Sequence, residues 1–109
     1  MAHETLMFQM VRLGGGGLKG IRKATKACAY VAAWGIVCRS CGHDPDWNEY
    51  SDYWGQSRAT TGREVQAFRE CVPEGVTVAQ VWRLVESQVP ESCTTRDGAV
   101  AVAQCVAVL

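Results

Sequence analysis

At 109 residues the chain has room for a single domain with a modest core, not for several. Its 11 basic and 11 acidic side chains cancel to a formal charge of zero, which at first counts against a nucleic-acid partner, although distribution matters more than the sum. The longest apolar run, Ala27 to Cys38, falls short of the roughly 17 residues a bilayer crossing requires, so it reads as a buried helix and no membrane partner is expected.

In chain order, Leu6, Met10 and Leu13 recur at helical spacing. A short helix over Thr5 to Leu13 would end at Gly14 to Gly17, although Leu6, Phe8 and Met10 also fit an alternating strand. From Leu18 to about Cys41 runs the longest predicted helix. One stripe holds Ile21, Thr25, Cys28, Ala32 and Gly35, and its neighbour holds Ala24, Ala27, Val31, Trp34 and Cys38, with Lys19, Lys23 and Lys26 outside both. Asp44-Pro45 is a helix-start pair, and the helix reaching Trp54 turns Trp47, Tyr50 and Trp54 inward. Ser57 caps the next helix, whose inner face is Thr61, Val65 and Phe68. Val72-Pro73-Glu74-Gly75 is a turn. Thr77 and Gln80 then form a capping box for a helix that Pro90 ends. The tail from Ala99 to Leu109 is apolar throughout and fits either a helix packed on the core or a strand. Trp34, Trp47, Trp54 and Trp82 all sit on predicted inner faces and are expected to meet in the core.

The stretch from Glu49 to Phe68 is the most informative. A small residue, Ser51, stands four before Gly55, and Ser57-Arg58-Ala59-Thr60 follows two residues later. Two helices joined so tightly cross steeply. A large side chain at Ser51 would clash with the second helix, and Gly55 can take the left-handed conformation that ends the first. This is the geometry of a helix-turn-helix, in which the second helix enters the major groove of DNA. Charge is also segregated. Arg12, Lys19, Arg22, Lys23, Lys26 and Arg39 occur between Glu4 and Asp44 without one acid, and Asp44, Asp46, Glu49 and Asp52 then mark the solvated face of the first motif helix.

The sequence Trp47-Asn-Glu-Tyr-Ser-Asp-Tyr-Trp-Gly-Gln-Ser-Arg-Ala-Thr-Thr-Gly-Arg-Glu-Val-Gln-Ala-Phe-Arg-Glu70 resembles small helix-turn-helix proteins of actinobacteria and their phages. In these an acidic-aromatic stretch leads into Ser-Arg-Ala-Thr and then Arg-Glu. The resemblance covers Asp44 to about Pro73 and implies a cytoplasmic, DNA-binding, regulatory protein of phage or mobile-element origin. Two positions depart from the pattern. Gln56 replaces an aliphatic turn residue, and Gly62 stands inside the second helix, where glycine costs about 1 kcal/mol relative to alanine. If the unit binds DNA, Ser57 offers its hydroxyl and amides to a phosphate, and Gln56 reaches the backbone or a base edge. Arg58, Thr60 and Arg63 project from the side opposite Thr61, Val65 and Phe68, with arginine suited to guanine. Lys19, Arg22, Lys23 and Lys26 are phosphate contacts that position rather than specify.

Other patterns point to less. Cys38-Arg-Ser-Cys41-Gly-His43, with Cys71 as a fourth ligand, has near-zinc spacing, but a single Cys-x-x-Cys is weak and buried or incidental thiols are the default. Gly14 to Gly17 lacks the Gly-Lys-Ser/Thr ending of a phosphate loop and reads as a hinge. Neither His3 nor His43 joins a nucleophile, and no enzyme, cofactor or metal is expected. The expectation is therefore an all-α domain of four to five helices with a central helix-turn-helix. It divides into an apolar segment and hinge (1–17), a helical domain (18–90) and an apolar tail (91–109). The partner is double-stranded DNA, bound as a homodimer on a repeated half-site. The rival is a phage-encoded protein-binding module that engages a host protein.

Overall fold

A 25-residue helix runs through the middle of the molecule and organises everything else. The structure, a computed structural model, describes residues 3–107, and Met1, Ala2, Val108 and Leu109 lie outside the described residues. The helices are α1 (His3–Leu13), α2 (Gly17–Cys41), α3 (Trp47–Trp54), α4 (Arg58–Cys71), α5 (Val78–Val85) and α6 (Arg96–Val106), with a 3-10 turn over Glu86–Gln88. The protein is all-α, as expected, and the apolar tail supplies the additional helix.

The other five helices all pack on α2. From Tyr30 to Val37 every residue of α2 is buried, whichever way it points. That explains why its sequence loses a polar face there: a helix surrounded by neighbours is apolar all round. No described helix is long and apolar enough to cross a membrane. Leu6, Met7 and Met10 of α1 and Ala99, Ala103 and Val106 of α6 belong to the same core as Val31, Phe68 and Val81. The segments before and after the central region are thus integral to one body.

Local signals set most boundaries. Thr77 and Gln80 form the expected capping box at α5. Thr95 caps α6 by accepting the Gly98 amide at 3.0 Å, a start signal that the monotony of the tail obscured. Arg39, one of the basic residues before Asp44, is structural. Its guanidinium donates to the carbonyls of Glu86 and Val89 and lies 4.9 Å from the Trp82 ring, tying the 3-10 turn to α2.

Two expectations are corrected. The cap of α3 is Asp46, not Asp44: its carboxylate accepts the Glu49 amide at 2.9 Å, Glu49 returns the bond to the Asp46 amide, and Pro45 is buried just before the helix. Nor do the four tryptophans meet in the core. Trp34 and Trp82 are buried, Trp54 is half-buried, and Trp47 is 45% exposed.

All six cysteines are free thiols. Cys28 and Cys71 are buried, and burial, with Cys71 nearby, pushes the Cys28 thiol from 9.0 up to about 12. A disulfide-exchange reagent at mildly alkaline pH is expected to label the exposed Cys41 and Cys105 first and Cys38 and Cys93 more slowly. Cys28 and Cys71 should react only after denaturation. Rapid labelling of either buried thiol in native protein would contradict this packing.

Candidate nucleic-acid interface

The α3–α4 unit is built by hydrogen bonds that the local sequence dictates. At the end of α3 the Gly55 amide donates to Asp52 O at 3.2 Å and the Gln56 amide to Ser51 O at 3.0 Å. This paired closure requires the left-handed Gly55, at φ 63° and ψ 38°. One residue later Ser57 starts α4 by accepting the Thr60 amide at 3.1 Å.

The two helices are then locked by polar contacts. Ser51 and Thr61 are both fully buried, their hydroxyls 2.6 Å apart. Gln56 turns inward and donates to Thr61 Oγ1 at 3.0 Å and to Glu64 Oε1 at 2.8 Å. Glu64 also accepts from the Tyr50 hydroxyl at 2.7 Å and from Arg96 of α6 at 2.9 Å, and Arg96 donates to the Tyr50 oxygen at 2.6 Å. Burial first, then the Glu64 carboxylate, drive the Tyr50 phenol upward, so it stays a donor at neutral pH. Gln56 was expected to face DNA; its amide is instead consumed inside the unit. The turn is anchored, by a polar side chain rather than an aliphatic one.

Gly62 also has a tertiary reason. A Cβ there would lie 3.2 Å from Trp47 Cζ2, and the Trp47 indole nitrogen donates to Arg58 O at 3.3 Å. The ring of Trp47 thus lies across the first turns of α4, in space that a larger residue would fill.

The outward positions of α4 are Arg58, Ala59, Arg63, Gln66, Arg69 and Glu70. At about 100° per residue they form one continuous arc of roughly 140°, with Arg58 and Arg63 at its two edges. Arg58 is engaged: it donates to Asn48 Oδ1 at 2.7 Å and pairs with Asp52 at 3.0 Å. Both members of that pair are largely exposed, and such pairs contribute only about 0–1 kcal/mol, so a phosphate can displace Asp52. Arg63 donates to Thr60 Oγ1 at 3.1 Å, and the Ser57 and Thr60 hydroxyls are 3.0 Å apart. Ser57 and Thr60 are thus already used in the cap, which leaves Ser57 the first-turn amides as its offer to a phosphate.

Lys23 and Lys26 of α2 line one surface groove with Arg63, Gln66, Ala67 and Glu70. Lys23 lies 3.9 Å from Glu70, an exposed contact of little strength. Lys19 and Arg22 are exposed outside that groove. Helical periodicity nevertheless aligns them with Lys23 and Lys26 on an arc of about 100°. The groove therefore joins Arg63 to one end of a four-cation stripe, while Arg58 stands apart at the other edge of α4.

Gln66 and Arg69 were missed in the sequence, although Gly62, Gln66 and Arg69 repeat at helical spacing. Glu64 was missed too. Its signal was a charge on the inner stripe between Thr61 and Phe68, which points to a buried partner. No family model, curated protein or solved structure matches the chain.

Proposed function

We propose that the chain binds double-stranded DNA through α4, with Arg58, Arg63, Gln66 and Arg69 facing the major groove and Lys19, Arg22, Lys23 and Lys26 contacting phosphates. The observation that carries this reading is the groove in which α2 lysines flank Arg63 beside an outward, arginine-bearing arc. Phosphate-facing cations position a module, and arginine on a base edge specifies. One such module spans few base pairs, so a homodimer on a repeated half-site is part of the proposal, as is a regulatory role, which rests on the resemblance of residues 44–73 to helix-turn-helix regulators.

Selection from a random duplex pool tests binding and assembly together, because the symmetry of the selected site reports the subunit arrangement. On that site, Arg63→Ala with Arg69→Ala is expected to weaken binding roughly tenfold or more and to relax base preference. Lys23→Ala with Lys26→Ala is expected to weaken all duplexes alike and to lower the salt slope by about one per lysine. Affinity indifferent to salt and to all four substitutions would sink the proposal.

A protein-binding role is the second reading, favoured by one observation. Exposed Trp47 and Arg58 adjoin each other, and Trp47 borders a cavity of about 330 Å³ lined by Tyr30, Trp34, Tyr50, Phe68 and Arg69. Trp and Arg are the residues that dominate protein interfaces. The paired Lys23→Ala and Lys26→Ala substitutions discriminate: they weaken duplex binding under the first reading and leave partner binding at the Trp47 face unchanged under the second.

A further inference from the structure

We infer that Cys41, His43 and Glu49 form a binding site for a soft divalent cation of the Zn2+ type at the junction of α2 and α3. Cys41 is the last residue of α2, His43 follows the left-handed Gly42 that closes it, and Glu49 lies in the first turn of α3. Their ligand atoms all fall within 4.8 Å of one another. Tetrahedral coordination sets such atoms roughly 3.5 Å apart, so the most distant pair closes by about 1.3 Å and the touching His43–Glu49 pair opens, both within reach of exposed side chains.

One ligand, Glu49, is already aimed by a contact through an atom that would not ligate, while Cys41 and His43 are held only through their ligating atoms. The Cys41 thiol donates to the His43 carbonyl at 3.1 Å. Glu49 spends Oε1 on the Asp46 amide at 3.2 Å, in the capping box, and presents Oε2 to His43 Nε2. The Asp46 bond to Glu49 is of the kind that outer contacts provide in metal sites. The donor set is one thiolate, one imidazole and one carboxylate, whose two negative charges balance a divalent ion. Thiolate and imidazole select zinc-like ions over magnesium or calcium. Binding releases the Cys41 thiol proton to solvent, neutral His43 ligates through Nε2 with its proton on Nδ1, and water completes the fourth position.

This donor set differs from the one that the Cys-x-x-Cys spacing suggests. Cys71 lies in the core, fully buried, and cannot join. The Cys38 thiol is directed to Asp44 Oδ1 at 3.7 Å. A bound ion would staple the end of α2 to the capping box of α3, and so fix the entry to the α3–α4 unit whatever that unit binds.

The test is Co2+ titration of the reduced full-length chain, read by the thiolate-to-cobalt charge-transfer band and by competition with Zn2+. The expected result is a stoichiometric band that Zn2+ removes, lost in Cys41→Ser and in His43→Ala and retained in Cys38→Ser. Glu49→Gln keeps the capping bond but not the charge, and should weaken binding about tenfold or more. Zn2+ should also raise the unfolding temperature of the wild type and not of His43→Ala. Absence of the band in excess Co2+, its persistence in Cys41→Ser, or its loss in Cys38→Ser would each overturn the assignment.

Discussion

Gly35→Ala is expected to lower the unfolding midpoint by roughly 12–20 °C, equivalent to about 3 kcal/mol for a domain of this size. A Cβ at Gly35 falls 2.3 Å from Cε3 and Cζ3 of Trp82. The indole cannot easily withdraw: Trp82 is 6% exposed and the Arg39 guanidinium lies over its ring. Alanine gains about 1 kcal/mol in helix propensity at this position, so the clash has to outweigh that gain. Thermal unfolding by circular dichroism measures the shift. Trp82→Leu in the Gly35→Ala background should recover part of the loss, a non-additivity that marks a direct contact. A Gly35→Ala protein as stable as wild type would show that α5 does not press on α2 as described.

Glu64→Ala is expected to cost about 2–4 kcal/mol in urea unfolding, more than any surface charge in the chain. Glu64 accepts from Gln56, Tyr50 and Arg96 at once. Removing it deprives three donors of their acceptor near the core and breaks the bond from Arg96 of α6 to α4, while Arg96 keeps its place 5.3 Å from the Trp54 ring of α3. Glu64→Gln, which keeps the shape but turns an amide donor toward other donors, should fall between. Arg96→Ala combined with Glu64→Ala should cost clearly less than the sum of the two, because each disables the same network. Strict additivity would mean that the network does not exist. The network also predicts a pH response. Tyr50 has its folded-state pKa raised above its ordinary 10.0, so its contribution is complete below about pH 10 and is lost as pH rises beyond it.

Much of the local architecture was legible because its causes are local. Ser57, Gly55, Thr77 and Gln80 announce helix ends through bonds that span only a few residues. The start of α3 was placed two residues early because Asp44 and Asp46 are equally good acceptors, and the choice depends on Glu49 answering Asp46. Gln56 and Gly62 looked like weaknesses of the motif. Gln56 is an anchor whose partner Glu64 is fixed from elsewhere, and Gly62 is the space occupied by Trp47. Arg96 stands at the mouth of a tail whose alanines and valines carry no decisive period. Its partner Glu64 is 32 residues away, and nothing in the sequence pairs them.

Spacing and capping alone determined that this chain is helical, where most helices begin, and that α3 and α4 meet through a tight turn. Those features are satisfied within one or two helical turns of the same segment. Only the tertiary structure decided which polar side chains are consumed internally and which are left outward. Gln56 is spent inside the α3–α4 unit and Glu64 and Arg39 on distant elements, while Arg63, Arg69, Lys23 and Lys26 line an outer surface. That division depends on what each side chain meets from other parts of the fold, and packing of α2, α4 and α6 against one another sets those meetings.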